Sequence, residues 1–182
     1  GHDGPILVTF GGSDPHQSSE RCLRALAAAL PGRPVQVIVG PGFGAQIERA
    51  AALARLHPRA QVITGAAGIE RLLAEASLVV TALGVTVGEA LCLGTPVALL
   101  CNWESDGTVA KALQNRGVLH HLGHHATVTD GALAADLGRL GSDPDLRSEL
   151  AAAGWRHCDA GGAERAADRI AALLGSGEVR SC

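Results

Sequence analysis

The run Thr81-Ala-Leu-Gly-Val-Thr-Val-Gly-Glu-Ala-Leu-Cys-Leu-Gly-Thr-Pro-Val-Ala-Leu-Leu100 leaves the chain little freedom. An apolar strand, a glycine turn, a short helix and a second strand follow one another without spare residues. Two such strands joined by a helix belong side by side in a parallel sheet. Gly84 lets the backbone turn closely beneath a ligand, and Thr86 is placed to cap the helix. The helix then aims free N–H groups and its positive dipole end at an anion such as a phosphate. Glu89, one turn further, is placed to accept hydrogen bonds from a ribose diol.

The same arrangement stands near the start. Ile6-Leu-Val-Thr-Phe10 is a buried-strand run, Gly11-Gly-Ser-Asp-Pro15 follows at once, and Ser19–Leu30 is amphipathic. Both glycine turns fall at the carboxyl ends of strands, where parallel α/β sheets bind ligands. Period and turn signals place strands at about 5–10, 35–40, 61–64, 78–82, 96–101 and 118–122. Helical segments alternate with them at about 18–30, 44–57, 69–76, 86–93 and 105–116. The expected fold is therefore α/β: a Rossmann-like parallel sheet of about six strands with helices on both faces. Beyond residue 128 only helices are expected. Thr129 or Asp130 caps one to Leu140, Ser142-Asp-Pro-Asp145 starts another, and Gly161-Gly162 precedes a last one.

These residues resemble the C-terminal domain of GT-B-type proteins. The closest resemblance is to the nucleotide-sugar hydrolases of pseudaminic-acid biosynthesis and the related spore-coat polysaccharide proteins. It is carried by Gly11-Gly-Ser-Asp-Pro15, by the strand Val35-Gln-Val-Ile-Val-Gly-Pro41 ending in Gly-Pro, and by Glu70-Arg-Leu-Leu-Ala-Glu-Ala-Ser-Leu-Val-Val80, and it spans residues 5 to about 125. The peptidoglycan GlcNAc transferase is a more distant match, since its glycine loop continues Ser-x-Gly-Ala where this chain has Ser13-Asp14-Pro15.

The resemblance implies a UDP-sugar site. Gly11, Gly12 and Ser13 would face the diphosphate or sugar, and Gly84, Val85 and Thr86 the phosphates. Glu89, at the family's Gly-x-x-x-x-Glu spacing, would take the ribose hydroxyls. The uracil would be read by backbone groups around Ile63-Thr64-Gly65. The loop Asn102-Trp-Glu-Ser-Asp-Gly107 falls where the family has an Asn-Gln pair near the sugar, matched either by Asn102-Trp103 with extra residues before the next helix or by Ser105-Asp106 with different side chains. Val85 and Val87 stand where the family often carries polar residues, which favours backbone over side-chain contacts to phosphate. The implied activity is release of UDP from an amino or deoxy sugar by water. The alternatives are a glycosyltransferase using the same donor, and a non-catalytic nucleotide-sugar or protein binder. The family's general base belongs to an N-terminal domain, so no catalytic residue is assigned here.

Asp14 and His16 share the first loop, and either is a general acid or base if desolvated. A local role is preferred, with Asp14 accepting backbone N–H groups, because a carboxylate beside a diphosphate repels it. His120, His121, His124 and His125 raise the question of a metal. Their spacing matches no closed site, and no metal or other cofactor is expected.

Composition bounds the rest. With 182 residues and 47% hydrophobic content the chain can fill one core. Two per cent aromatic residues and a net charge of −3 argue against nucleic acid as a partner. No apolar stretch is long enough to span a bilayer, and a cytoplasmic location is expected. Five cysteines without a C-x-x-C pair read as reduced thiols in apolar runs or helices. Without Met, and opening Gly1-His2, the chain reads as a piece of a longer enzyme whose N-terminal domain would be its partner. Residues 1–4 are expected to be a scar or linker, 5–174 a single nucleotide-sugar-binding domain, and 175–182 a flexible tail.

Overall fold

Ile6, Leu7 and Val8 are fully buried, as are Leu78 to Val80 and Val97 to Leu100. Strands with no polar face require cover on both sides, and the architecture follows from that. The computed structural model describes residues 4–43, 45–66 and 68–175. Its strands are β1 (Ile6–Thr9), β2 (Val35–Val39), β3 (Ala60–Thr64), β4 (Leu78–Thr81), β5 (Val97–Cys101) and β6 (His120–His124). Its helices are α1 (Ser18–Ala29), α2 (Gln46–Leu53), α3 (Glu70–Glu75), α4 (Val85–Cys92), α5 (Asp106–Asn115), α6 (Asp130–Ser142), α7 (Pro144–His157) and α8 (Gly162–Gly175). The strands form one parallel sheet in the order β3-β2-β1-β4-β5-β6.

Alternation along each strand sends its side chains into two apolar layers. Ile6, Val8, Val80 and Leu100 pack with Leu23 and Leu26 of α1 and with Leu133, Leu137 and Leu140 of α6. Leu7, Val79 and Leu99 pack with Leu73 of α3, Val87, Ala90 and Leu91 of α4 and Ala110 of α5. Each fully buried leucine contributes about 1.5–3 kcal/mol, so the two layers fix the sheet between them.

The late helices start on the expected caps. Thr129 Oγ1 accepts from Ala132 N at 3.2 Å, and Asp143 Oδ1 accepts from Leu146 N at 2.9 Å with Pro144 opening α7. The buried Arg147 donates to the carbonyls of Leu140 and Gly141, closing the end of α6.

Three expectations need correction. The last strand runs 120–124, not 118–122: Val118 and Leu119 are buried, but Val118 N turns back to Leu113 O at the end of α5. The second helix is shorter than 44–57. After Leu53 the chain turns so that buried His57 places Nε2 3.2 Å from Leu30 O and accepts from Arg59 N through Nδ1. Finally, the cysteines are not all thiols. Cys92 at the end of α4 is bonded to Cys158 after α7, with 5.2 Å between their Cα atoms. Helices α4 and α7 meet at Gly154, where a Cβ would lie 2.7 Å from Leu91 Cδ2, and this contact brings together sulfurs 66 residues apart. Cys22 and Cys101 are free and buried.

Helix α8 is exposed along its described side chains, including Ile170 at 58% and Leu174 at 70%. Among the described residues no helix is long and apolar enough to cross a membrane.

Candidate functional site

The sheet order reverses direction between β1 and β4, and the crevice beyond their carboxyl ends is where such sheets hold ligands. The turn after β1 is built for close approach. Gly11 has φ +74°, and the turn rests directly on the one after β2. Gly42 N donates to Gly12 O at 2.7 Å, and a Cβ on Gly40 would lie 2.6 Å from Gly12 O and 2.7 Å from Gly11 O. Gly40 is thus a glycine because the first turn occupies the space of its side chain.

Beyond these turns, Gly65 (φ +65°) and Ala66 follow β3, and Thr86 comes in from the first turn of α4. Together with Gly11, Gly12 and Gly40 they line a cleft of about 410 Å³. Three expected site residues, Gly11, Gly12 and Thr86, are brought together here. Ser13 is exposed and does not line the cleft, and Ile63 sits inside β3 opposite Ile38, leaving Gly65 and Ala66 to face the space.

Helix α4 divides the remaining site residues. Val85, Gly88, Glu89 and Cys92 recur at helical spacing and share one face. With Gly84 they line a second groove, of about 570 Å³, whose far wall includes Asp159 and Arg165. Thr86 does not cap the helix. Gly84 is the N-cap and no side chain bonds there, so the N–H groups of Val85 and Thr86 meet no acceptor among the described residues. That leaves the positive end of α4 open to an anion. Val87 is buried in the core, which explains its apolar identity, whereas Val85 is 79% exposed at the mouth of the helix. The half-buried Glu89 carboxylate has no hydrogen-bond or ion-pair partner among the described residues.

Helix α1 is different. The Asp14 carboxylate, 3% exposed, accepts from Ser18 N at 2.8 Å and Ser19 N at 3.0 Å. Asp14 therefore closes α1 as the local reading expected, and the dipole of α1 is already answered by a carboxylate. Of the two helix ends expected to serve a diphosphate, α4 alone is open. Asp14→Ala should lower stability by about 1–2 kcal/mol through loss of this cap, with Asp14→Asn recovering part of it. Thermal or urea melts measure this, and unchanged stability would mean that the cap contributes nothing.

The loops after β1, β5 and β6 also meet. His16 stacks on His125 with 3.7 Å between ring centroids and stands edge-on to Trp103 at 5.0 Å. Trp103 is 56% exposed, with its N–H donated to Asp106 Oδ2, and the buried Asn102 Oδ1 has no hydrogen-bond partner among the described residues. Arg21, which carried no sequence signal, stitches α1 to this corner. It donates to Asp130 Oδ1, His125 O and Val128 O.

The four histidines do not converge. His120 lies 3.3 Å from Asp136, and His121 Nε2 lies 3.2 Å from Cys101 Sγ. Burial is the main cause lowering the pKa values of His120, His121 and His125; the neighbouring His16, His124 and Arg21 add to it at His125. No group of three metal-capable side chains occurs among the described residues.

No known protein-family model matches the chain. It is 28% identical over 150 residues to the spore coat polysaccharide biosynthesis protein SpsG of Bacillus subtilis, covering 80% of this chain and 43% of that protein. Among solved structures, MurG of Acinetobacter baumannii aligns at a TM-score of 0.75 with 22% identity, over 92% of this chain and 49% of that one. The UDP co-structure of Staphylococcus aureus MnaA aligns at 0.71 with 16% identity, over 96% and 47%. Further neighbours include glycosyltransferases and a UDP-N-acetylglucosamine 2-epimerase. The fold is that of one half of these GT-B enzymes, and the chain spans less than half the length of the proteins it matches.

Proposed function

We propose that this chain is the donor-binding half of a GT-B enzyme that acts on a UDP-sugar, transferring the sugar to a hydroxyl acceptor. One observation carries this reading. The β1 turn, the turn after β3 and Thr86 at the unanswered N-terminus of α4 line one cleft at the point where the sheet order reverses, and Gly84, Val85 and Glu89 of the same helix line the second groove. Backbone groups at Gly65 and Ala66 would face the base. The N–H groups of Val85 and Thr86, with the Gly11-Gly12 turn, would take the diphosphate, and Glu89 the ribose diol. The sugar would extend toward Asn102. As the anomeric carbon–oxygen bond breaks, charge grows on the departing UDP, and fixed N–H donors at a helix end stabilise that charge without reorganising.

No general base is assigned within this chain. In this reading a further domain supplies it and closes the cleft, and the exposed Ile170 and Leu174 of α8 offer an apolar face for such a neighbour. Hydrolysis, with water in place of the acceptor hydroxyl, is the second reading. It is favoured by the family resemblance that the Gly11-Gly-Ser-Asp-Pro15 motif carries. Either reaction consumes a nucleotide sugar, in keeping with the cytoplasmic location expected from the sequence.

Glu89 provides the test. Glu89→Ala should weaken UDP binding by about 1.5–3 kcal/mol, the range for hydrogen bonds to a charged group, without unfolding the domain, and Glu89→Gln should lose less. Calorimetry with 2′-deoxy-UDP checks the assignment independently. If it binds the unaltered chain as tightly as UDP does, Glu89 does not read the ribose.

A further inference from the structure

The second groove contains a feature that nucleotide binding does not require. Its floor is the Glu89 face of α4, and both partners of the Cys92–Cys158 bond line it, each only half-buried. We propose that this bond is a thiol–disulfide modification site, taking a dithiol as its chemical partner, whose redox state sets how firmly the groove holds a ribose at Glu89. The ribose clause rests on the UDP reading above; the modification site does not.

Cys92 lies three residues after Glu89, so its bond fastens the Glu89 face to the opposite wall. That wall is the connection from α7 to α8. Cys158 follows the last residue of α7, Asp159 pairs with Arg165 at 2.7 Å, and Ala160 sits at φ +59° before α8 begins. Asp159, Ala160 and Gly162 are exposed, so the connection is held at Cys158, which is bonded to Cys92 and packs on the core beside Gly88 O. Helix α4 has other anchors. Val87, Ala90 and Leu91 are in the core, and Leu91 packs against Gly154. Breaking the bond therefore loosens the wall, which loses its covalent tie, and leaves the helix in place.

The chemistry is also selective. Cys22 is wholly enclosed, and burial together with Asp14 pushes its thiol far up. Burial, aided by Asp106, pushes Cys101 up to about 11. Thiols held protonated and out of reach do not exchange, whereas a half-buried disulfide lining an open groove does. A thiolate of the dithiol attacks one sulfur of the pair and expels the other as a thiolate. The second thiol of the reagent then resolves the mixed disulfide. Two electrons and two protons pass to the protein, yielding two cysteine thiols and the oxidised, cyclic reagent.

Alkylation of the folded protein before and after dithiothreitol, followed by peptide mapping under non-reducing conditions, tests the site. Cys92 and Cys158 should be linked at first and both labelled after reduction, with Cys22 and Cys101 labelled only in denaturant. Labelling of Cys92 and Cys158 without reductant would overturn the site. Calorimetry should then show UDP binding about fivefold weaker in the reduced protein, with 2′-deoxy-UDP unchanged. Cys158→Ser should match the reduced state and ignore the reagent. Equal UDP affinity in the oxidised, reduced and Cys158→Ser proteins would overturn the coupling. UDP binding in none of them would overturn the nucleotide reading and the coupling with it, while the labelling pattern still decides the modification site.

Discussion

UDP should bind this chain at least about 100-fold more tightly than uridine when the two are compared by calorimetry. The expectation comes from the open end of α4, where the N–H groups of Val85 and Thr86 have no acceptor among the described residues. Each hydrogen bond to a charged group contributes about 1.5–3 kcal/mol, and two of them exceed the roughly 2.7 kcal/mol that a factor of 100 requires. CDP should bind about tenfold less well than UDP, or worse, at roughly 1.4 kcal/mol per factor of ten. Cytosine presents an amino group where uracil presents a carbonyl, so a backbone N–H near Gly65 would face a donor. Equal affinity for uridine and UDP would remove the phosphate role of both glycine turns. High salt should weaken UDP and spare uridine, since part of the attraction is between charges.

The central sheet was legible because its strands are buried on both faces. Ile6–Thr9, Leu78–Thr81 and Val97–Cys101 read as largely apolar runs bounded by turns, Val35–Val39 as one interrupted only by Gln36, and the structure places them within a residue or two of expectation. β6 was misplaced because its ladder is made by half-buried histidines and Gly123, while the apolar pair just before it belongs to the return from α5. Part of the candidate cleft's lining was legible where it rests on residue type. Gly11, Gly12 and Thr86 do share one cleft. It was not legible where backbone position decides. Of the expected stretch Ile63-Thr64-Gly65, Gly65 lines the cleft, with Ala66 beyond it, and residue type cannot say which member of such a stretch will, since any residue supplies the same N–H and C=O. Gly40 was visible as part of a motif, yet its reason for being glycine lies in a contact with a turn nearly thirty residues earlier. The Cys92–Cys158 bond likewise depends on how α4 meets α7, and local pattern cannot report that.

Gly40 and Gly12 offer a pair of substitutions that separate building the cleft from using it. A Cβ on Gly40 would press on Gly12 O, Gly11 O and Gly12 Cα, all within 2.7 Å. These are backbone atoms, so no rotamer change relieves the overlap and the β1 turn must move. Gly40→Ala should therefore destabilise the domain by about 2–3 kcal/mol, the upper range for overpacking. It should also cost UDP binding at least about 30-fold, or roughly 2 kcal/mol, because the displaced turn is the cleft wall. Gly12→Ala starts from the same turn with the opposite geometry. Its Cβ would meet nothing within 4 Å, so stability should stay within about 0.5 kcal/mol of the unaltered chain. Gly12 nevertheless lines the cleft, and the added methyl takes space that a diphosphate would use, so UDP affinity should still fall about tenfold. Urea melts and calorimetry on the two variants measure both quantities. If Gly12→Ala binds UDP normally, the ligand does not approach the β1 turn. If Gly40→Ala melts and binds like the unaltered chain, the two turns do not rest on each other as the structure shows.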